Sequence, residues 1–270
     1  SQDNATRIVK YWKDINEQKH YPGTFTESEG CQIPKGNNRS RCKAVRVINK
    51  LCPAGKTFTK LIWSRSRTEK KDYAFGFTKG RRREQAILIA NTVKWRLKQI
   101  GVNYAQSMHD VANAFPSMGH KTLDEMLERI TFAEDTPFLK ARHKLSQICI
   151  PTPQGDRLYV KAGQGGLQGD SAMAPEFGQC YEGALEQWAT NEKGQILATD
   201  PITNKTMHIG TQMYADDVSD INIITEGSLE KMADDRNKDM DDVPEKMDMA
   251  QNREKDEHIV SIYGKGSVQE

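Results

Sequence analysis

The sequence predicts an α+β fold: an antiparallel-type sheet with helices on one face. Three observations lead there. After about residue 100, strand-like and helix-like stretches follow the order strand–helix–strand–helix–hairpin–helix–strand. The helical stretches carry apolar residues at helix spacing, whereas the strand-like ones are short runs bounded by turn residues. Charge also reverses near residue 100, which suggests a boundary there.

The chain has 270 residues, enough for one large domain or two smaller ones. Its net charge of +2 hides the reversal. Residues 1–100 hold 23 of the 39 Lys and Arg but 8 of the 37 Asp and Glu. The remaining 170 residues therefore hold 16 basic and 29 acidic side chains. A basic half joined to an acidic half points to a polyanion handled by the first and cations held by the second. No run reaches the ~18–20 apolar residues that span a membrane. The N-terminus SQDNATRIVKYW has no signal-type apolar stretch, and without a starting Met it reads as a processed or partial chain. Five cysteines without a CxxC pair suggest neither zinc nor a disulfide framework, but reduced thiols in an intracellular protein.

In chain order, residues 1–30 are polar with scattered aromatics, and HYPGTFTESEG reads as loop. Residues 31–50 pair a short apolar start with the β-branched run VRVI around a basic turn, as a hairpin does. Phe58, Leu61 and Ile62 fit a short amphipathic helix. Gly80 lies in a loop. Ala86, Ile87, Ile89, Ala90, Val93 and Leu97 form a helical stripe that Gly101 ends. YAQSMHD is strand-like and ends at Asp110. KTLDEMLERI and FLKARHKLSQI are helical. LYVK starts a strand that leads through a glycine-rich turn into a helix. MHIGTQMYADDVSDINII reads as two β arms around Asp216 and Asp217. A charged helix broken near Pro244 and the strand HIVSIY close the chain.

Adjacent aspartates on a hairpin tip repel one another, as does Asp110 if its strand is a neighbour. Like charges in contact raise each other's pKa values unless cations neutralise them. Mg²⁺ suits a few carboxylates plus phosphate oxygens. Two such ions can stabilise the attacking and leaving oxygens of a phosphoryl transfer. If Asp216 and Asp217 occupy successive strand positions they point to opposite sides, with Asp216 the stronger ligand.

HDVANAF (109–115), GLQGD (166–170) and YADD (214–217) together resemble the palm motifs of reverse transcriptases, nearest the non-LTR retrotransposon and group II intron type. IPKGNN (33–38) with KAVRVINKLCPAGKTFTKLIWSR (43–65), and AFGFTKGRRREQAI (74–87), are similar to fingers segments. NREKDEHIVSIYGKG (252–266) resembles the later palm segment. Each motif alone is short; six in order over residues 30–266 are specific.

The resemblance implies a right-hand polymerase palm, an antiparallel sheet with helices on one face, plus basic α/β fingers, with the thumb missing. It divides the chain into an N-terminal extension (1–30), fingers (31–105) and palm (106–270). The implied catalytic residues are Asp110, Asp216, Asp217 and Lys255. The three aspartates would hold two Mg²⁺ ions, with Mn²⁺ as a substitute, and Lys255 would protonate the leaving pyrophosphate. Lys35, Lys43 and Arg46 would meet the triphosphate and template backbone. Phe115 would exclude a 2′-hydroxyl, and Gln168 and Gly169 would hold template or nucleotide. Arg81, Arg82 and Arg83, near a helix start, read either as a template-phosphate patch or as a solvated run. The implied partners are an RNA template, a DNA primer and deoxynucleoside triphosphates, with other protein subunits as further candidates and no membrane. The implied location is intracellular, with the compartment left open between the nucleus, for a mobile element, and an organelle.

Some positions depart from the pattern. The family shows Arg where Lys43 stands, and Lys lacks the bidentate fork. QGDSAMAP (168–175) is one residue longer than usual, and Asp220 either faces solvent or crowds the metal site. Two other readings follow the same motifs. One is a retroelement-derived, catalytically silent subunit of a larger assembly. The other is an RNA-dependent RNA polymerase, disfavoured by Ala215 before the aspartates and by the aromatic Phe115.

Overall fold

The computed structural model describes residues 2–35, 45–152, 154–189, 196–224 and 229–263. In chain order the elements are α1 (Gln2–Gln18), α2 (Gly23–Thr26), β1 (Glu27–Pro34), β2 (Val45–Leu51), α3 (Pro53–Ser64), α4 (Arg83–Gln99), β3 (Tyr104–His109), α5 (Ala114–Ser117), α6 (His120–Ile130), α7 (Thr136–Lys144), β4 (Gln147–Pro151), β5 (Arg157–Lys161), α8 (Met173–Ala189), β6 (Leu197–Thr199), β7 (Thr206–His208), β8 (Thr211–Tyr214), β9 (Asp217–Ile223), α9 (Leu229–Glu245) and β10 (Glu257–Ser261). Among the described residues no helix is long and apolar enough to cross a membrane. Cys31, Cys52, Cys149 and Cys180 are free thiols.

The chain packs as two compact units, residues 1–68 with 115–177, and 69–114 with 178–270. This division is discontinuous, whereas the sequence motifs suggest linear segments.

In the first unit, β1 and β2 form the expected antiparallel hairpin within a sheet ordered β2-β1-β4-β5. Its core is aromatic. Phe58 of α3 packs on Phe25 at 6.1 Å and on Phe138 of α7 at 5.7 Å. The stretch HYPGTFTESEG is not all loop, since α2 and the start of β1 lie within it. α1 covers residues 2–18, Ile15 is buried, and Trp12 packs 6.2 Å from Phe58. The spacing of Ile8, Tyr11, Trp12 and Ile15 carries this helical stripe within a polar stretch. β1 begins at Glu27, inside the stretch that reads as loop.

The second unit holds a sheet ordered β10-β3-β9-β8, antiparallel throughout. Ala90, Val93 and Leu97 of α4 pack on Tyr104 and Ile221 on one face. Burying a Val, Leu or Ile side chain there contributes roughly 1.5–3 kcal/mol. Gly101, just past α4, has φ +68° and so ends the helix as its sequence position suggests. The opposite face is covered as well. His109 meets Trp188 of α8 edge-on at 6.0 Å, and Arg236 of α9 stacks 4.0 Å over the same ring. Helices therefore lie on both faces of this sheet, not one. Motif order cannot reveal which face a helix takes, because α4 precedes the first strand and α8 and α9 follow later ones.

Asp220 belongs to that second face. It is fully buried and accepts hydrogen bonds from Thr211 Oγ1 (2.6 Å), Arg236 Nη2 (2.7 Å) and Asn222. It neither faces solvent nor crowds the carboxylates, because the strand alternation turns it away from Asp217 and Ser219. Its charge is matched by Arg236, as a buried charge requires.

Candidate active site

Sheet register brings the acidic residues together. β3 pairs with β9 so that Met108 lies opposite Ser219 and His109 opposite Val218. One position further, Asp110 comes level with Asp217, the first residue of β9. β8 and β9 meet through the pair Tyr214–Asp217, leaving Ala215 and Asp216 as a two-residue turn. Asp216 is thus a turn residue, and strict strand alternation does not separate it from Asp217. Among the described residues, Asp110, Asp216 and Asp217 offer carboxylate oxygens within 4.8 Å of one another.

The return of the chain before β10 completes the group. Asn252 N–H donates to the Asp110 carbonyl at 2.8 Å, and Val111 bridges to Gln251. Two side chains then reach the Asp110 carboxylate. Asn252 Nδ2 donates at 2.8 Å and Lys255 Nζ at 2.6 Å. Asp110 is 6% exposed, so these donors compensate a largely desolvated charge. The sequence reading includes Lys255 but misses Asn252, which has no distinguishing signal of its own.

The electrostatics are those of crowded anions. Burial, then the Asp216 and Asp110 charges, push the Asp217 carboxyl above its ordinary value, with Lys255 opposing. The hydrogen bond and charge of Asp110 hold the Lys255 ammonium above its ordinary value. Tyr181 of α8 is fully buried, and burial together with the three carboxylates pushes its phenol far upward. A raised carboxylate pKa means that the folded state binds the Asp217 proton more tightly than the unfolded chain. Between the ordinary aspartate value and the raised one, stability therefore falls as pH rises. Across that window the fall of the urea midpoint with pH should be steeper in EDTA than in saturating Mg²⁺, because a bound cation would cancel the Asp217 contribution.

The donor set fits a hard cation, since it is built from carboxylate oxygens alone and Asp110 already accepts a positive charge from Lys255. Beside it, a cleft of about 470 Å³ runs between α4 and the sheet, lined by Arg83, Lys94, Gln106, Asp110, Asp217 and Lys255 among others.

The turn that carries Asp216 is strained. Ala215 has φ +60°, a left-handed conformation that costs an L-residue roughly 1–2 kcal/mol. Ala215→Gly should accordingly raise stability by about 1 kcal/mol, read as a higher urea midpoint with unchanged slope. An unchanged or lowered midpoint would show that the turn is not strained.

Of the remaining sequence candidates, Lys35, Arg46, Phe115, Gln168 and Gly169 belong to the first unit, and Arg81, Arg82 and Arg83 to the second, where Arg83 lines the cleft. Lys35 follows β1, and Arg46 lies exposed on β2 opposite Ile33. Lys43 falls outside the described residues. Phe115 of α5 is half-buried against Phe177, with ring centroids 5.3 Å apart. The Gln168 carbonyl accepts the Asn49 N–H at 2.7 Å. Gly169 has φ +109°, and a Cβ there would fall 2.4 Å from the Asn49 carbonyl oxygen. Any other residue at 169 would therefore displace β2. Asp170 pairs with the buried Arg142, which also lies 3.6 Å from Glu176, and His143 Nε2 lies 2.8 Å from Glu176. Sequence reasoning misses this buried network, since charged residues on helices usually read as surface.

No protein-family model matches the chain, and no curated protein matches it in sequence. Solved structures do match. Apo telomerase from Candida tropicalis truncated from its C-terminal domain aligns with TM-score 0.58 and 13% identity, over 98% of this chain and 56% of that one. The fold is reverse-transcriptase-like. Apo telomerase from the same species gives TM-score 0.59 and 14% identity, over 98% of this chain and 50% of that one. Telomerase from Candida albicans in complex with the TWJ fragment of telomeric RNA gives 0.60 and 12%, over 93% and 45%. At such identities the likeness concerns fold alone. It does not single out the non-LTR or group II intron type that the motifs resemble. The chain spans about half the length of these telomerase chains.

Proposed function

We propose that the chain is the fingers and palm part of an RNA-directed DNA polymerase, carrying out template-directed nucleotidyl transfer. The observation that carries this reading is the convergence of Asp110, Asp216 and Asp217 within 4.8 Å, in motifs of a reverse-transcriptase type on a reverse-transcriptase-like fold. In this reading residues 31–105 serve as fingers and 106–270 as palm, with 1–30 as an extension. The partners are an RNA template, a DNA primer and deoxynucleoside triphosphates.

Asp110 and Asp216 would be the principal holders of two divalent cations, with Asp217 assisting. Bound Mg²⁺ would supply positive charge to the attacking 3′-oxygen and the leaving pyrophosphate. Lys255 keeps its proton beside Asp110 and would deliver it to the pyrophosphate. Asn252 orients the Asp110 carboxylate. Lys35, Lys43 and Arg46 would neutralise triphosphate or template phosphates. Phe115 would exclude ribonucleotides, and the turn at Gln168 and Gly169 would meet template or nucleotide.

Primer extension on an RNA template tests the reading. Incorporation of deoxynucleotides that depends on Mg²⁺ or Mn²⁺ and follows the template is expected. A chain that incorporates nothing with either ion, alone or within its full-length parent, would instead be a silent relative.

A further inference from the structure

Arg81 stands in the run Arg81–Arg83, which reads in the sequence as a patch for template phosphate. Its guanidinium points elsewhere. Arg81 Nη1 donates to the carbonyls of Lys71 (2.5 Å), Asp72 (3.2 Å) and Ala74 (2.5 Å). The group also lies 5.6 Å over the Phe75 ring. One side chain thereby gathers three carbonyls of a segment outside the named helices and strands.

That segment abuts the aspartate hairpin. Met213 N–H donates to the Tyr73 carbonyl and Phe75 N–H to the Met213 carbonyl, both at 2.8 Å. Ala74 and Met213 form a parallel bridge, so the segment adds to the outer edge of β8. A second tie is the Tyr73 hydroxyl, which donates to the Glu182 carbonyl at 2.8 Å. Gly76 then lies directly on the turn: a Cβ at this position would fall 2.1 Å from the Ala215 nitrogen. A strained turn persists where its surroundings over-determine it, and Ala215 is the strained residue.

We propose that Arg81 is a positioning residue. It ties residues 71–76 into a strap that presses through Gly76 on the Ala215–Asp216 turn and so fixes the Asp216 and Asp217 carboxylates against Asp110. Building on the polymerase reading, this assigns Arg81 to the metal site's support and not to template binding. The role needs the reach and the plane of the guanidinium: Nη1, which makes all three carbonyl contacts, stands one bond further along the side chain than a lysine Nζ, and the plane lies over Phe75.

Arg81→Lys, Arg81→Met and Gly76→Ala, made in the full chain, test it. Amide exchange at Met213 should be faster in all three. Mn²⁺ binding, followed by electron paramagnetic resonance, and kcat for incorporation should each fall by about 10–100-fold, the usual effect of losing a metal site's outer support. KM for the nucleotide and the salt dependence of template binding should be unchanged. Arg81→Lys separates the two roles, because it keeps the positive charge that neutralises a phosphate while its Nζ ends one bond short of the three carbonyls. The proposal is overturned if Arg81→Lys behaves as wild type. It is also overturned if Arg81→Met lowers the salt slope of template binding by about one while leaving Met213 exchange and Mn²⁺ binding intact. Should the wild-type chain incorporate nothing, the polymerase reading fails, yet Met213 exchange still decides whether the strap exists.

Discussion

Asp110→Asn is expected to lower template-directed incorporation by about 10³-fold or more while leaving the chain folded. Metal-assisted charge stabilisation is worth several kcal/mol in the transition state, and each 1.36 kcal/mol is tenfold in rate. Asn keeps the size of Asp110 but removes the charge that two cations would share. The structural effect should be small, because Lys255, which loses its partner, has a side chain 60% exposed and can turn to water. Single-turnover primer extension reads the loss, and circular dichroism checks the fold. Asp216→Asn should behave alike. Asp217→Asn should lose less activity, and it should raise stability at neutral pH without divalent ions, because it removes one of three crowded charges. An Asp110→Asn protein that extends primers at the wild-type rate would remove the basis of the two-metal reading.

The largest expected stability effect lies in the first unit. Arg142, Asp170, His143 and Glu176 form a buried ionic group linking α7 to the QGD turn and the first turn of α8. Burial pushes the Glu176 carboxyl up, but the His143 and Arg142 charges outweigh it and hold the group below its ordinary value. Arg142→Met strands the desolvated Asp170 carboxylate and leaves Glu176 with His143 alone, and should destabilise the chain by about 3–5 kcal/mol. Denaturant unfolding would show this as a lowered midpoint. Adding Glu176→Gln to Arg142→Met should recover part of the loss, since a buried carboxylate that has lost one of its two cationic partners is then gone. The sign with pH also follows. A depressed carboxylate stabilises the fold above its unfolded pKa, and that contribution is lost as pH falls through its folded value. Wild type should therefore lose stability on acidification over this range more steeply than the double variant.

The strands that carry or flank the three aspartates are legible in the sequence because each is local. The β arms around Asp216, the strand ending at Asp110 and the strand after Lys255 are short runs with clear turn residues, and the structure has strands at each. The α4 stripe is legible as well: Ala86, Ala90, Val93 and Leu97 are buried. Ile87 belongs to the same stripe yet stays half-exposed and lines the cleft, because α4 covers only part of its sheet face. Contacts between distant stretches are not legible. Asn252 reaches Asp110 across 142 positions, and Arg142 meets Glu176 through the packing of two helices. Arg81 looks like its neighbours in an arginine run, and only the carbonyls around it reveal its direction. The glycine-rich turn is half legible. Gly169 does need its positive φ, but the close backbone it admits is that of Asn49 of the same chain.

Anomalous diffraction from crystals of this chain grown or soaked with Mn²⁺ would test the shared-cation site most directly. The account predicts Mn²⁺ peaks among the carboxylates of Asp110, Asp216 and Asp217. Crystals saturated with Mn²⁺ that show no peak among these three carboxylates would contradict it.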